Sequence, residues 1–369
     1  MIGRRGLLLW ALVTMPDIAA AAPAVSSVSG IRRRPLQFPR DFGAHPETGI
    51  EWWYLTGLLG ADEAQPPLFG YQLTFFRLRN RDPAVQSHPS ALAPRQLLLG
   101  HVALSDLRAG RLHHDQRLAR ASAGGIQAAE ADCDVRLRDW RLRRSADDDR
   151  YRARFGSAHA GFALDLDLHS ALPPLLQGDA GYSRKGPEES QASHYYSRSQ
   201  MQTKARLKLG DRSLTLQGHS WLDHEWSDSL LAPEAVGWDW LGLNLLDGSA
   251  LTAFRLRRAD GSSLWTGGSW RESGGRVRSF GNGELQFRPG RRWRSPVSQA
   301  EYPVEWGLST PVQAGLQVRA MFDAQEIDAR ASSGLLYWEG ASELFDAGGR
   351  LIGRGYLEMT GYTRRMVLP

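Results

Sequence analysis

Apolar and polar residues swap places with a period of two through most of this 369-residue chain. Arg206-Leu207-Lys208-Leu209 turns through Gly210-Asp211 into Leu214-Thr215-Leu216; Leu241 to Leu246 turns at Asp247-Gly248 into Leu251 to Leu256, and Asp260-Gly261 turns again. Strict alternation suits a half-buried strand, and Asp-Gly suits the positive φ angles of a tight hairpin. Sustained helical periodicity is scarce. The expected fold class is all-β, a succession of antiparallel hairpins, with short irregular or helical pieces over Ser90 to Gln96 and Ser170 to Gln177, where prolines and polar residues break the pattern.

Composition narrows the class further. With 42% hydrophobic and 23% charged residues the chain is globular, which excludes a disordered tail, a collagen-like repeat and a polytopic membrane protein. Its one cysteine, Cys133, forbids an intrachain disulfide and a cysteine-based zinc site, and the flanking Asp132 and Asp134 discourage a reactive thiolate. The formal charge is +5, but only three of the 45 basic residues are lysine and the arginines are dispersed among acids. A nucleic-acid partner is therefore not expected, because a binding stripe needs like charges gathered on one face.

Residues 1–24 read as an export signal: Arg4-Arg5 is the charged start, Leu7 to Met15 the apolar stretch and Ala19 to Ala22 the cleavage region. The apolar stretch is short for a membrane span, and the paired arginines resemble a twin-arginine leader. The expected location is periplasmic or secreted, with an uncleaved anchor as the competing reading.

Two stretches look like copies of one unit. Trp53-Tyr54-Leu55-Thr56-Gly57-Leu58 leads to Phe76-Arg77-Leu78-Arg79, and Asp239-Trp240-Leu241-Gly242-Leu243 leads to Phe254-Arg255-Leu256-Arg257. This predicts two related β-domains, about 36–229 and 230–369, packed together because no flexible linker separates them.

Chemistry-bearing residues gather around tryptophans. The clusters are Glu51-Trp52-Trp53-Tyr54, His219-Ser220-Trp221-Leu222-Asp223-His224-Glu225-Trp226, Gly237-Trp238-Asp239-Trp240, Tyr337-Trp338-Glu339-Gly340 and Gly355-Tyr356-Leu357-Glu358. Alternation on a strand sends His219, Trp221, Asp223 and Glu225 to one face. Burial beside indoles raises a carboxyl pKa and prepares one acid to donate a proton while a neighbour stays ionised. The competing reading pairs these acids with arginines as a structural clasp. A metal reading of His219, Asp223, His224 and Glu225 is weakened because His219 and His224 fall on opposite faces, so neither metal nor cofactor is expected. A Gly-x-Ser-x-Gly elbow and a phosphate-binding glycine loop are both missing from the sequence.

These clusters, together with Phe38-Pro39-Arg40-Asp41-Phe42-Gly43-Ala44-His45-Pro46 and Phe69-Gly70-Tyr71-Gln72-Leu73-Thr74-Phe75-Phe76-Arg77, resemble the lipocalin-like family of carotenoid 1,2-hydratase (hydroxyneurosporene synthase) and secreted AttH-type proteins. The resemblance runs from about residue 36 to 364. It implies two tandem lipocalin-like β-barrels and an apolar ligand. For a hydratase of this type it implies Asp223 as proton donor, His219 or Glu225 orienting water, and Trp221, Trp226, Trp238 and Trp240 flanking a cation. Asp239 and Glu339 are expected to approach the same region from the second domain, because acids embedded among tryptophans are costly to bury unless they share partners or do chemistry. Trp52, Trp53, Tyr54, Tyr337, Trp338 and Glu339 complete the expected ligand-binding set. Two functional readings stand. One is an enzyme that hydrates or hydrolyses a lipophilic molecule; the other is a non-catalytic periplasmic carrier of a lipid or hydrophobic small molecule, serving an envelope ABC-type export system.

Overall fold

The computed structural model describes residues 30–62, 65–90, 92–121 and 124–367. The expected leader lies outside the described residues. Two large antiparallel sheets dominate, one of 13 strands from Ile50 to Ser227 and one of ten from Gly237 to Met359. The hairpins anticipated from the turn dipeptides are present: the long Ala192–Leu209 and Arg212–Ser227 strands pair across Gly210, and Gly237–Leu245 pairs with Ala250–Arg257 across Gly248. Both glycines sit at positive φ, 57° and 87°, where a side chain would be strained. No helix among the described residues is long and apolar enough to cross a membrane.

The sheets share a plan. In the first, strand Ile50–Gly60 lies between Phe69–Arg79 and Arg212–Ser227; in the second, Gly237–Leu245 lies between Ala250–Arg257 and Leu351–Met359. The first strand of each unit thus pairs with both the second strand and the last. The first sheet rolls until its ends meet as a nearly closed barrel: a Cβ on Gly100 would come within 2.9 Å of Leu137 and Trp140, which belong to strands near the far end of the strand order. Only glycine permits that approach. The repeated sequence unit keeps its register as well, with Glu51 opposite Arg77 and Trp52 opposite Phe76 in one sheet, and Asp239 opposite Arg255 and Trp240 opposite Phe254 in the other.

Each sheet buries one face in its own core, the first around Trp53, Phe75, Trp140 and Trp226, the second around Trp270, Trp306 and Trp338. A third apolar cluster forms where the outer faces meet, from Tyr54, Leu58 and Trp221 on one side and Trp240, Phe254 and Tyr356 on the other. Polar joints fix the two units in register around it. Gln200, bulged out of its strand, donates from its backbone to Asn244 Oδ1 at 2.7 Å, and His101 meets Tyr337 OH at 2.9 Å and Ser332 Oγ at 2.9 Å.

Candidate functional site

The meeting of the two outer faces leaves a cavity of about 60 Å3, enough for a few water molecules. Alternation decides who lines it. Trp52 and Tyr54, then Gln72, Thr74 and Phe76, then Asp223 and Glu225 come from every second position of three adjacent strands, with Tyr195 and Lys185 beside them. The second unit supplies Trp238 and Trp240, Phe254 and Leu256, Tyr337 and Glu339, and Glu358 by the same rule. Leu230 and Leu231, from the connection between the units, close one side.

Four carboxyl groups and a single cation, Lys185, line this apolar space. Asp223 is the most heavily hydrogen-bonded: Ser197 Oγ donates to its Oδ1 at 2.6 Å, Trp221 Nε1 to the same oxygen at 2.7 Å, and Tyr195 OH to Oδ2 at 2.9 Å. Trp240 Nε1 in turn donates to Tyr195 OH at 3.0 Å, tying the two units together through this acid. Burial pushes the Asp223 carboxyl up to about 7 even though the three donors favour its charged form. Glu225 accepts from Ser193 and pairs with Lys185, whose ammonium faces the rings of Phe254 at 4.9 Å and Tyr195 at 5.1 Å.

Glu339 is placed differently. Tyr54 OH donates to its Oε1, while its Oε2 is buried with no hydrogen-bond partner among the described residues. Glu358 stands directly opposite it on the neighbouring strand. Two carboxylates so placed repel, and desolvation first, then Glu358, holds the Glu339 pKa well above the usual carboxyl range. Glu358 is half-buried, hydrogen-bonded by the Trp238 side chain, and pushed up to about 7 by burial. Burial and the facing Glu358 therefore favour the neutral form of Glu339, on a carboxyl with one oxygen unpartnered.

A second acidic cluster occupies the opposite face of the same strands. Glu51 Oε1 meets His45 Nδ1 at 2.7 Å and His224 Nε2 at 2.8 Å, and its Oε2 accepts from Arg77 Nε at 2.7 Å. His45 Nε2 meets Asp41 Oδ1 at 3.0 Å, and Arg34 holds both oxygens of Asp41. Trp226 stacks on His45 at 3.8 Å and Trp53 on His224 at 4.6 Å. His45, Glu51 and His224 bring potential metal-ligating atoms within 4.8 Å of one another. The donor set is nonetheless already used: both imidazoles share one carboxylate oxygen and a guanidinium holds the other. These contacts keep the Asp41 and Glu51 carboxyls far below their ordinary values despite full burial. The network fastens the segment before the first strand onto the barrel.

Set against the sequence expectations, Asp223, Glu225, Trp52, Tyr54, Trp238, Trp240, Tyr337 and Glu339 converge on the cavity. Trp221 backs it through its bond to Asp223. Asp239 does not converge. It lies between Trp238 and Trp240 and so faces the other way, where Arg255 Nε at 2.6 Å, Arg257 Nη1 at 2.9 Å and Tyr362 OH at 2.8 Å lock it. It is the counterpart of Glu51, a clasp. His219 shares a strand face with Asp223 but sits about 13 Å along it, four residues at the strand rise, beyond Trp221. It lines a separate, open cavity of about 330 Å3. Trp53, Trp226 and Trp338 point into the domain cores. Sequence reasoning did not select Gln72, Thr74, Phe76, Lys185, Tyr195, Phe254 or Glu358 for the site; the alternation that places Trp52 and Trp240 also places Phe76 and Phe254 opposite them.

The AttH-like family model matches residues 30–362. The fold is shared at 41% sequence identity with the crystal structure of a Nitrosomonas europaea protein assigned to AttH, with a TM-score of 0.80, covering 93% of this chain and 100% of that one. It is shared at 15% identity with kievitone hydratase from Nectria haematococca, TM-score 0.66, covering 92% and 97% of the two chains. CghA is more distant, at 10% identity and TM-score 0.51 over 90% of this chain and 93% of its own. No curated protein matches by sequence. With the family match spanning nearly all of the described residues, this chain belongs to the AttH-like family.

Proposed function

We propose that this protein adds water to a carbon–carbon double bond of a lipophilic molecule held between its two β-units, or forms that bond by removing water from the corresponding alcohol. The observation that carries the reading is the free, buried Oε2 of Glu339 in a cavity whose lining contains no arginine. A carrier needs aromatic walls and paired acids; an acid buried inside those walls with one oxygen unpaired costs stability and is explained by proton donation. That a hydratase shares the fold supports the same reading.

In the hydration direction, the Oε2 proton of Glu339 passes to one alkene carbon, whose π electrons form the new C–H bond. The cation left on the other carbon lies among the faces of Trp52, Trp238 and Trp240. Water attacks it, and the proton the water sheds goes to Asp223, whose three donors suit the charged form that a base requires. The donor role that the family resemblance assigns to Asp223 thus passes to Glu339. Lys185 is kept from repelling the cation by its pairing with Glu225.

The test begins with the lipophilic material that co-purifies with the protein, identified by mass spectrometry and returned to it in oxygen-18 water. The expected result is a product heavier by one labelled water, with turnover falling about 10²- to 10⁴-fold in Glu339→Gln while ligand binding persists. A ligand returned unlabelled and unchanged by the parent protein would leave the carrier as the better account.

A further inference from the structure

We infer that the substrate is an amphipathic carboxylic acid, taken as a free monomer, which enters tail-first beneath Leu230 and Leu231 and leaves its carboxylate outside at an arginine cluster. This deepens the hydratase reading and rests on it for the chemistry, but its own observations are separate. The cavity has room for only about 60 Å3 as it stands, so any lipophilic substrate must displace part of its wall. Most of that wall is strand, held by ladder hydrogen bonds. Leu230 and Leu231 are the exception: they are half-buried, their backbones make no hydrogen bond to any described residue, and they are held by apolar contacts alone. A segment held in that way opens at low cost.

The same two leucines form the inner wall of a surface groove of about 300 Å3. Lifting them joins this groove to the cavity. The groove carries apolar Ile50 and Met366 on its floor and Arg79, Arg81 and Arg365 at its edge, against one acid, Asp228. Asp228 is engaged by Arg81 and Arg79 by the Glu47 carbonyl, whereas Arg365 is exposed and has no side-chain partner among the described residues. The two sides of the leucines therefore offer an anion different things: inside, the one lysine is already paired with Glu225 and the other three carboxyls form no ion pair among the described residues, whereas an arginine excess lies outside. A carboxylate would lose its hydration in the cavity with no free cation to replace it, and is attracted to the groove. That fixes both the orientation and the class: an apolar, unsaturated tail in the cavity, and an anionic head that never enters it.

The probes are a conjugated tetraenoic C18 acid (cis-parinaric acid), whose fluorescence rises on burial, and its methyl ester, each titrated into the full chain. The acid is expected to bind about tenfold tighter than the ester, and Arg365→Glu to remove that preference while leaving ester binding unchanged. Because Arg365 is exposed, the variant is expected to fold, which circular dichroism checks. Leu231→Ala is expected to speed association of both probes. Equal affinity for acid and ester, or an acid preference that survives in Arg365→Glu, overturns the inference. So does binding to vesicles rich in anionic lipid with no affinity for the monomeric acid, which marks the groove as a membrane-surface site. Turnover by the parent protein, measured beside the titrations, separates this inference from the reading beneath it: acid selectivity with no turnover sinks the hydratase and leaves the ligand class standing, while turnover of a neutral substrate without acid selectivity does the reverse.

Discussion

Glu51 and Glu339 are both fully buried glutamates one residue from a tryptophan, and they have opposite electrostatic fates. Glu51 accepts from Arg77, His45 and His224, and its carboxyl is held far below the ordinary value. Glu339 has Tyr54 on one oxygen and nothing on the other, faces a second glutamate, and is held well above it. Burial alone is the same in the two places. What differs is the company: His224, His45 and Arg77 meet Glu51, whereas Glu339 faces a glutamate, and that difference separates a clasp from a group able to give up a proton. Asp239, opposite Arg255, shows that the clasp was built twice, once in each unit.

The hardest way to break this comparison is to remove the clasp's cation. Arg77→Met leaves the Glu51 charge buried with only imidazoles to meet it, and is expected to cost about 3–5 kcal/mol of folding stability at pH 7, read from urea denaturation. A loss under about 1 kcal/mol would show that the histidines alone neutralise Glu51. Glu51 and Asp41 are depressed acids, so the stability they contribute is present above the unfolded carboxyl range and lost as pH falls through their folded values. The deficit of Arg77→Met should therefore shrink on acidification below about pH 4.

At the cavity the sign reverses. Asp223 is raised from 3.8 to about 7, so between those values the folded state holds a proton that the unfolded chain has released. Stability falls as pH rises through that window, and the penalty is complete above it. Asp223→Asn removes the penalty. Relative to the parent, the variant is expected to gain up to about 4 kcal/mol between pH 4 and pH 8, with the nearby acids sharing and so reducing the effect. Parallel stability curves for the two proteins across this range would mean that Asp223 is not held above its unfolded value.

Much of this division was legible in the sequence, and the part that was missed was missed for an identifiable reason. The alternation that marks the strands also sorts the tryptophan clusters into two sets, since neighbours one apart face opposite ways. Trp52, Tyr54, Asp223, Glu225, Trp238, Trp240, Tyr337, Glu339 and Glu358 fall on the cavity side, and Glu51, Trp53, His224, Trp226, Asp239 and Trp338 on the core sides. Grouping Asp239 with the site rests on the cost of burying an isolated acid among tryptophans, a cost that Arg255 and Arg257 meet on the other face of the strand. The Phe-Arg-Leu-Arg repeat held the complementary clue, because its first arginine lies opposite the clasping acid in both units. Nothing local in the sequence announces Lys185 or Tyr195. They reach the cavity through pairing and packing between residues far apart in the chain, and the Glu339–Glu358 opposition depends on a strand register that periodicity alone leaves open.

The finest discrimination concerns which of the two cavity acids gives the proton and which receives it. Ser197 donates to Asp223 Oδ1 and makes no contact with Glu339, so Ser197→Ala perturbs one acid and spares the other. Losing a donor to a carboxylate raises its pKa by about one unit. If Asp223 is the base, the form required for turnover is the ionised one, and the acid limb of the kcat/KM profile moves up by about one pH unit while the alkaline limb stays. If Asp223 were instead the donor, its protonated form would be the active one, and the alkaline limb would move. Carboxyl carbon-13 NMR of aspartate-labelled protein gives the same shift without substrate and shows whether the moving group is Asp223. An alkaline limb that follows Ser197→Ala would exchange the roles of Asp223 and Glu339 while leaving the contrast between clasp and cavity intact.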